Sequence, residues 1–115
     1  MMEKVNLEMI RGDTLQFAVE IEFDEGPQKL ESAYFSCKKN YDDKAIFQKK
    51  LNDGITYRAT ERNKLYYVVR VAPEDTESVE PGQYYYDLQI GVNSDVFTIL
   101  HGVLKIYDDV TIGVN

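Results

Sequence analysis

The sequence predicts an all-β domain folded as an antiparallel β-sandwich of seven or eight strands with one short helical turn. Three observations lead there. Leu15, Phe17, Val19, Ile21 and Phe23 alternate with Gln16, Ala18, Glu20 and Glu22, the period-two pattern of a strand with one face in a core. Tyr84, Tyr86, Leu88 and Ile90 repeat that pattern against Tyr85, Asp87, Gln89 and Gly91, directly after a Pro81-Gly82 turn. Turn-forming clusters also recur roughly every ten residues, and no stretch carries the period of an amphipathic helix.

Taken in order, Val5, Leu7 and Met9 make a short first strand that stops at Arg11-Gly12-Asp13-Thr14, where Gly12 can supply a positive φ. The strand over residues 15–23 ends at the turn Asp24-Glu25-Gly26-Pro27. Residues 30–39 follow as a strand with Ala33, Phe35 and Cys37 opposed to Tyr34, Ser36 and Lys38. A polar loop over residues 40–44 leads to two strands, 45–51 and 55–59, around Asn52-Asp53-Gly54, a sequence that favours a primed hairpin turn. Leu65, Tyr67, Val69 and Val71 define the next strand. Pro73-Glu74-Asp75-Thr76 has proline at a first helical position and acids in the first turn, which suits a single helical turn. Residues 84–92 and 96–107 form a last hairpin around Asn93-Ser94-Asp95. The expected core is Phe17, Val19, Ile21, Phe35, Tyr67, Val69, Tyr86, Leu88 and Ile90, and Phe17→Ala should cost about 3 to 5 kcal/mol.

The corner before the penultimate strand narrows the type of sandwich. In immunoglobulin-like domains a tyrosine at this place sends its hydroxyl back to the preceding backbone, and Pro81-Gly82-Gln83-Tyr84 resembles that arrangement.

Length and composition bound the function. The 115 residues suit one domain, 1–115, and 43% hydrophobic with 29% charged is a globular balance. Twenty acidic against 13 basic residues give a net charge of −7 with no basic cluster, so nucleic acid and anionic membrane are poor partners. The one cysteine, Cys37, cannot form an internal disulfide and reads as a small buried hydrophobe, which suits a bacterial or viral cytosolic protein. Glu3, Lys4 and Glu8 interrupt the first ten residues, so no signal peptide is expected, and no apolar run is long enough to span a bilayer.

No catalytic constellation can be assembled from the sequence. His101 is the single histidine and has no evident base, nucleophile or metal co-ligand. The acid pairs Asp42-Asp43 and Asp108-Asp109 lack the spacing of a calcium loop. Accordingly no catalytic, cofactor-binding or metal residue is assigned, no cofactor is expected, and the chain reads as non-enzymatic. Arg11-Gly12-Asp13 matches an integrin-read tripeptide but is explained as a turn. There are nine tyrosines; within the runs Tyr66-Tyr67 and Tyr84-Tyr85-Tyr86, Tyr67, Tyr84 and Tyr86 read as core, and Tyr66 and Tyr85 are left over.

The final strand is apolar on both parities. Val96, Leu100, Leu104 and Ile106 lie on one, and Phe97, Ile99, Val103 and Tyr107 on the other. Either Gly102 marks a bulge that turns both sets inward, or Phe97, Ile99, Val103 and Tyr107 form an interface with another copy or another protein.

Several phrases, in order along nearly the whole chain, resemble small tail- and baseplate-associated proteins of phages and prophages of Gram-positive bacteria. They are Arg11-Gly12-Asp13-Thr14, Tyr41-Asp42-Asp43-Lys44 before Ile46-Phe47-Gln48-Lys49, Gly54-Ile55 and Pro73-Glu74-Asp75-Thr76. The series continues with Pro81-Gly82-Gln83-Tyr84-Tyr85-Tyr86-Asp87-Leu88, Thr98-Ile99-Leu100-His101-Gly102 and Asp109-Val110-Thr111. The resemblance implies an immunoglobulin-like sandwich acting as a structural or adaptor module of the virion tail. It implies assembly in the bacterial cytoplasm, with other tail or baseplate proteins or further copies of itself as partners. The alternative that the residues leave open is a carbohydrate-binding or host-adhesion β-sandwich using exposed tyrosines and loop acids.

Overall fold

A computed structural model of the chain describes residues 2–26 and 28–110. Pro27 in the second turn and Thr111 in the last phrase of the resemblance lie outside them. The strands are β1 (Glu3–Lys4), β2 (Leu7–Ile10), β3 (Leu15–Glu22), β4 (Ser32–Lys38), β5 (Phe47–Leu51), β6 (Gly54–Glu61), β7 (Lys64–Val71), β8 (Gly82–Val92) and β9 (Asp95–Tyr107), with the helical turn α1 (Pro73–Thr76) before β8.

One layer runs β9-β8-β4-β5 and the other β6-β7-β3. With β3 to β9 taken as strands B, C, C′, D, E, F and G, these are the G-F-C-C′ and D-E-B sheets of an immunoglobulin-like sandwich. The alternating patterns read above place their apolar members between the layers. Phe35 is fully buried, and the rings of Tyr86, Phe17 and Phe47 lie with centroids 5.3, 5.7 and 6.2 Å from its own. Val19, Ile21, Tyr67, Val69, Leu88 and Ile90 are buried as expected, as is Cys37, whose thiol burial pushes up to about 12. Phe17 is the exception. It packs on the core but remains partly exposed, so the loss expected for Phe17→Ala is revised downward below.

The tyrosine corner is present: the Tyr84 hydroxyl donates to the Glu80 carbonyl. Helical turn α1 is held by Asp75, whose carboxylate accepts the Ala72 N–H at 2.7 Å and pairs with Lys49 Nζ at 2.9 Å. Buried Thr76 then accepts the Gly12 N–H at 2.9 Å, fastening the first turn to this corner. Asn93 and Ser94, at φ 51° and 69°, make the tight connection of the β8–β9 hairpin.

Two expectations fail locally. Asn52-Asp53-Gly54 does not close an antiparallel hairpin; β5 and β6 pair in parallel at Lys50–Gly54 and Leu51–Ile55. Asn52 and Gly54 have φ 68° and 103°, and mutual hydrogen bonds between Lys50 and Asp53 at 2.9 Å curl the chain tightly enough to pass it from one layer to the other. Hydrogen bonding is therefore continuous, and among the described residues the two layers are the halves of one curled nine-stranded sheet.

The first strand also departs from expectation. It is broken at Val5 and Asn6 into β1 and β2, each pairing in parallel with β9. At the break the chain presses against Gly102, where a Cβ would fall on the Val5 carbonyl. That close approach, and no bulge, explains the glycine. Val5 N–H donates to His101 O at 2.9 Å, Asn6 Oδ1 accepts from Val103 N–H at 3.1 Å, and the Tyr86 hydroxyl donates to Val5 O. Since β1 and β2 stay with β9, the sandwich is closed through β5–β6 and open on the side of β3, the last strand of the path.

Candidate functional site

The register of β9 decides what the molecule presents. Leu88 pairs with Leu100 but Gln89 pairs with Thr98, so the extra residue of a bulge is Ile99, not Gly102. Across it the inward parity changes. Leu100, Leu104 and Ile106 share the inward face of β8 on one side, and Phe97, opposite Ile90, shares it on the other. This divides the set Phe97, Ile99, Val103 and Tyr107. Ile99 is buried at 7% exposure within the chain's own sandwich, and Phe97 sits at the end of the interlayer space beside Ile21 and Ile90. Val103 and Tyr107 remain on the outer face.

That outer face of β9-β8-β4-β5 is the surface richest in exposed rings. Register aligns Tyr34 with Gln89 and Thr98, Ser36 with Asp87 and His101, and Lys38 with Tyr85 and Val103. Tyr41, from the loop after β4, is 74% exposed and stacks on Tyr85 with ring centroids 4.7 Å apart. Past Val103 toward that same end, Tyr107 lies beside Ile10, and its hydroxyl donates to Glu8 at 3.1 Å. Tyr34, Ile10 and Tyr107 are each more than a third exposed. Tyr34 was legible as a ring on the polar parity of its strand; Tyr41 was not, because loop residues carry no facing rule.

The row Gln48, Ser36, Asp87, His101 gives the lone histidine an acid neighbour that spacing along the chain did not show. It is no triad, because the carboxylate stands between serine and imidazole, whereas nucleophile activation needs the imidazole in the middle. Gln48 donates to Ser36 Oγ at 2.8 Å. Burial raises the Asp87 carboxyl above its ordinary value, with Lys38 and His101 opposing the rise.

The remaining acids have partners or stand apart. Arg11 donates to Asp108 at 2.8 Å and to Asp109 at 3.0 Å. Its hydrogen bond is the first cause holding the Asp109 carboxyl below the usual value. The arginine of Arg11-Gly12-Asp13 is thereby engaged within the fold. Asp43 accepts from Asn40 at 3.0 Å, and Tyr66 donates to Glu20 at 3.0 Å. Among the described residues no three His, Cys, Asp or Glu side chains gather as a metal site, and no helix is long and apolar enough to cross a membrane.

No family model and no curated protein matches this sequence. Among solved structures, the chain is similar to part of a family 123 glycoside hydrolase from Clostridium perfringens, with TM-score 0.53 and 11% identity over 92% of this chain and 23% of the enzyme. The extracellular domain of the voltage-gated sodium channel beta4 subunit, a parallel homodimer described for its role in cell-cell adhesion, gives TM-score 0.45 and 15% identity over 93% of each chain. A sodium channel beta subunit studied for multimeric cell-adhesive interactions gives 0.46 and 12% over 92% and 93%. The first is a likeness of fold alone, and at scores below 0.5 the other two carry no weight beside the strand order.

Proposed function

We propose that this chain is a non-enzymatic structural or adaptor module of a phage or prophage tail or baseplate, working through protein–protein contacts. The carrying observation is the outer face of β9-β8-β4-β5, where Tyr34, Tyr41, Tyr85, Val103 and Tyr107 stand among Lys38, Lys50, Asp87 and Lys105, a mix of rings and charges. Tyrosines are enriched at protein interfaces because one ring supplies apolar area and a hydrogen-bonding tip with few rotatable bonds. The ordered phrases of the tail-protein resemblance supply the virion context. Particles induced from a lysogen carrying the gene should contain the chain by mass spectrometry. A Val103→Lys, Tyr107→Lys double variant that stays folded should be lost from them. Particles devoid of the wild-type chain would refute the assignment.

A second reading, carbohydrate or host adhesion, draws on the open ring of Tyr41 stacked over Tyr85, a flat apolar platform of the kind sugars pack against. Glycan-array binding abolished by Tyr41→Ala would favour it over the adaptor role.

A further inference from the structure

The open side of the sandwich is a second surface, separate from the tyrosine face. Strand β3 pairs with β7 alone among the described residues, leaving the backbone N–H and C=O groups of its other edge without a strand. Between that edge and the β1–β2 segment lies a groove of about 560 Å³. Its floor is core: Phe17, Val19 and Ile21 from β3, with Tyr86, Ile99 and Leu100 from the opposite layer. Phe17 and Leu15 have the inward parity of β3 yet are only partly covered, whereas Val19 and Ile21 further along are buried. The rim is acidic, with Glu3 on one lip and Glu20, Glu22 and Asp24 on the other.

We propose that this groove receives an extended, basic-flanked segment of a partner protein, which adds as a strand to the free edge of β3 and sets alternate apolar side chains over Phe17. The inference rests on the reading of the chain as a protein-contact module and names a site and a partner chemistry for it. Strand addition needs an unpaired edge for main-chain hydrogen bonds and a slot for every second side chain. Both are here, since the space between the layers beside β3 is where an added strand's inward side chains would go. The rim selects the partner. Of its four carboxylates, Glu20 and Glu22 share one cation, Lys64, which lies 3.5 Å from Glu20 and opposite Glu22 in the β3–β7 pairing, so the rim keeps a negative excess and lysine or arginine at the outward positions of the incoming segment meets complementary charge. A second copy fits worse, because it would bring a second acidic rim to this one, on chains of net charge −7.

The test uses the full chain and two synthetic peptides. One is acetyl-Lys-Val-Thr-Val-Lys-Val-Lys-amide, with its lysines and valines on opposite faces; the other carries glutamate at every lysine position. Amide hydrogen exchange and titration by nuclear magnetic resonance are read together. The lysine peptide should slow exchange at alternate amides of residues 15–22. Its affinity should fall about tenfold or more in a Glu22→Lys, Asp24→Lys variant and in high salt. Both positions are exposed, so the variant keeps the fold. Absence of protection on β3, protection confined to the outer face of β8 and β9, or equal binding of the glutamate peptide each overturns the proposal. Protection of β3 by raising protein concentration alone would assign the edge to a second copy and also overturn it. None of these readouts involves a virion, so loss of the tail assignment and loss of the groove are separate results.

Discussion

Comparing Phe35→Ala with Phe17→Ala measures in solution whether the sandwich is open beside β3. Phe35 has no exposed surface and is ringed by Phe17, Phe47 and Tyr86. Its truncation removes the transfer free energy of a whole benzyl group and leaves a closed cavity, about 3 to 5 kcal/mol in total. Phe17 belongs to the same alternating core pattern, but its ring lines the groove. Truncation there loses about half of a full burial term and merges the vacated space with the groove instead of sealing it, so about 1 to 2 kcal/mol is expected. Urea unfolding followed by far-ultraviolet circular dichroism reads both, as a shift of midpoint at constant slope. With total stabilities of small domains at about 5 to 15 kcal/mol, the Phe35 variant should sit near the edge of folding while the Phe17 variant unfolds cooperatively at lower urea than wild type. Equal losses at the two positions would mean that Phe17 is sealed, and the account of an open side would be wrong.

Three further outcomes follow from single contacts. Tyr84→Phe removes the hydroxyl that the Glu80 carbonyl accepts from and should cost about 1 to 2 kcal/mol by the same denaturation assay, with the strand content unchanged. Gly102→Ala puts a methyl group on the Val5 carbonyl; it should destabilise by about 1 to 3 kcal/mol and speed amide exchange at Val5, whose N–H donates to His101, more than at β4. Asp87→Asn should raise the melting temperature at pH 7 and leave it nearly unchanged in acid. The sign follows from the raised carboxyl: the native state binds its proton more readily than the unfolded chain, so wild type loses stability as pH rises through the native pKa, a loss that asparagine escapes. A variant that stabilises equally at both pH values would show that charge is not the cause.

What the sequence determined by itself was whatever depends on facing. Alternation along β3, β4, β7 and β8 settled which side chains enter the core, because a strand's side chains change sides at every residue and a slip of one would expose the whole set. Local backbone chemistry was equally legible: proline and acids at Pro73–Thr76 made the helical turn, and Pro81-Gly82-Gln83-Tyr84 made the tyrosine corner. The layered fold followed from these. Pairing partners did not, since they depend on contacts distant in sequence. Asn52-Asp53-Gly54 carried the signal of a hairpin, and only the placement of β5 and β6 in different layers made it a parallel crossing. Gly102 read as a bulge, with an interface as the alternative for the second apolar face, and the neighbour that explains it by close approach, Val5, lies 97 residues away along the pairing of Asn6 with Val103. The bulge at Ile99 is set by the partner strand's register, which leaves no mark in β9's own composition, and it took Phe97 and Ile99 off the face that Val103 and Tyr107 share. The same cause left the groove unseen: β1 and β2 chose β9 over β3, and an unpaired edge is a property of the whole sheet, carried by no residue of β3 itself.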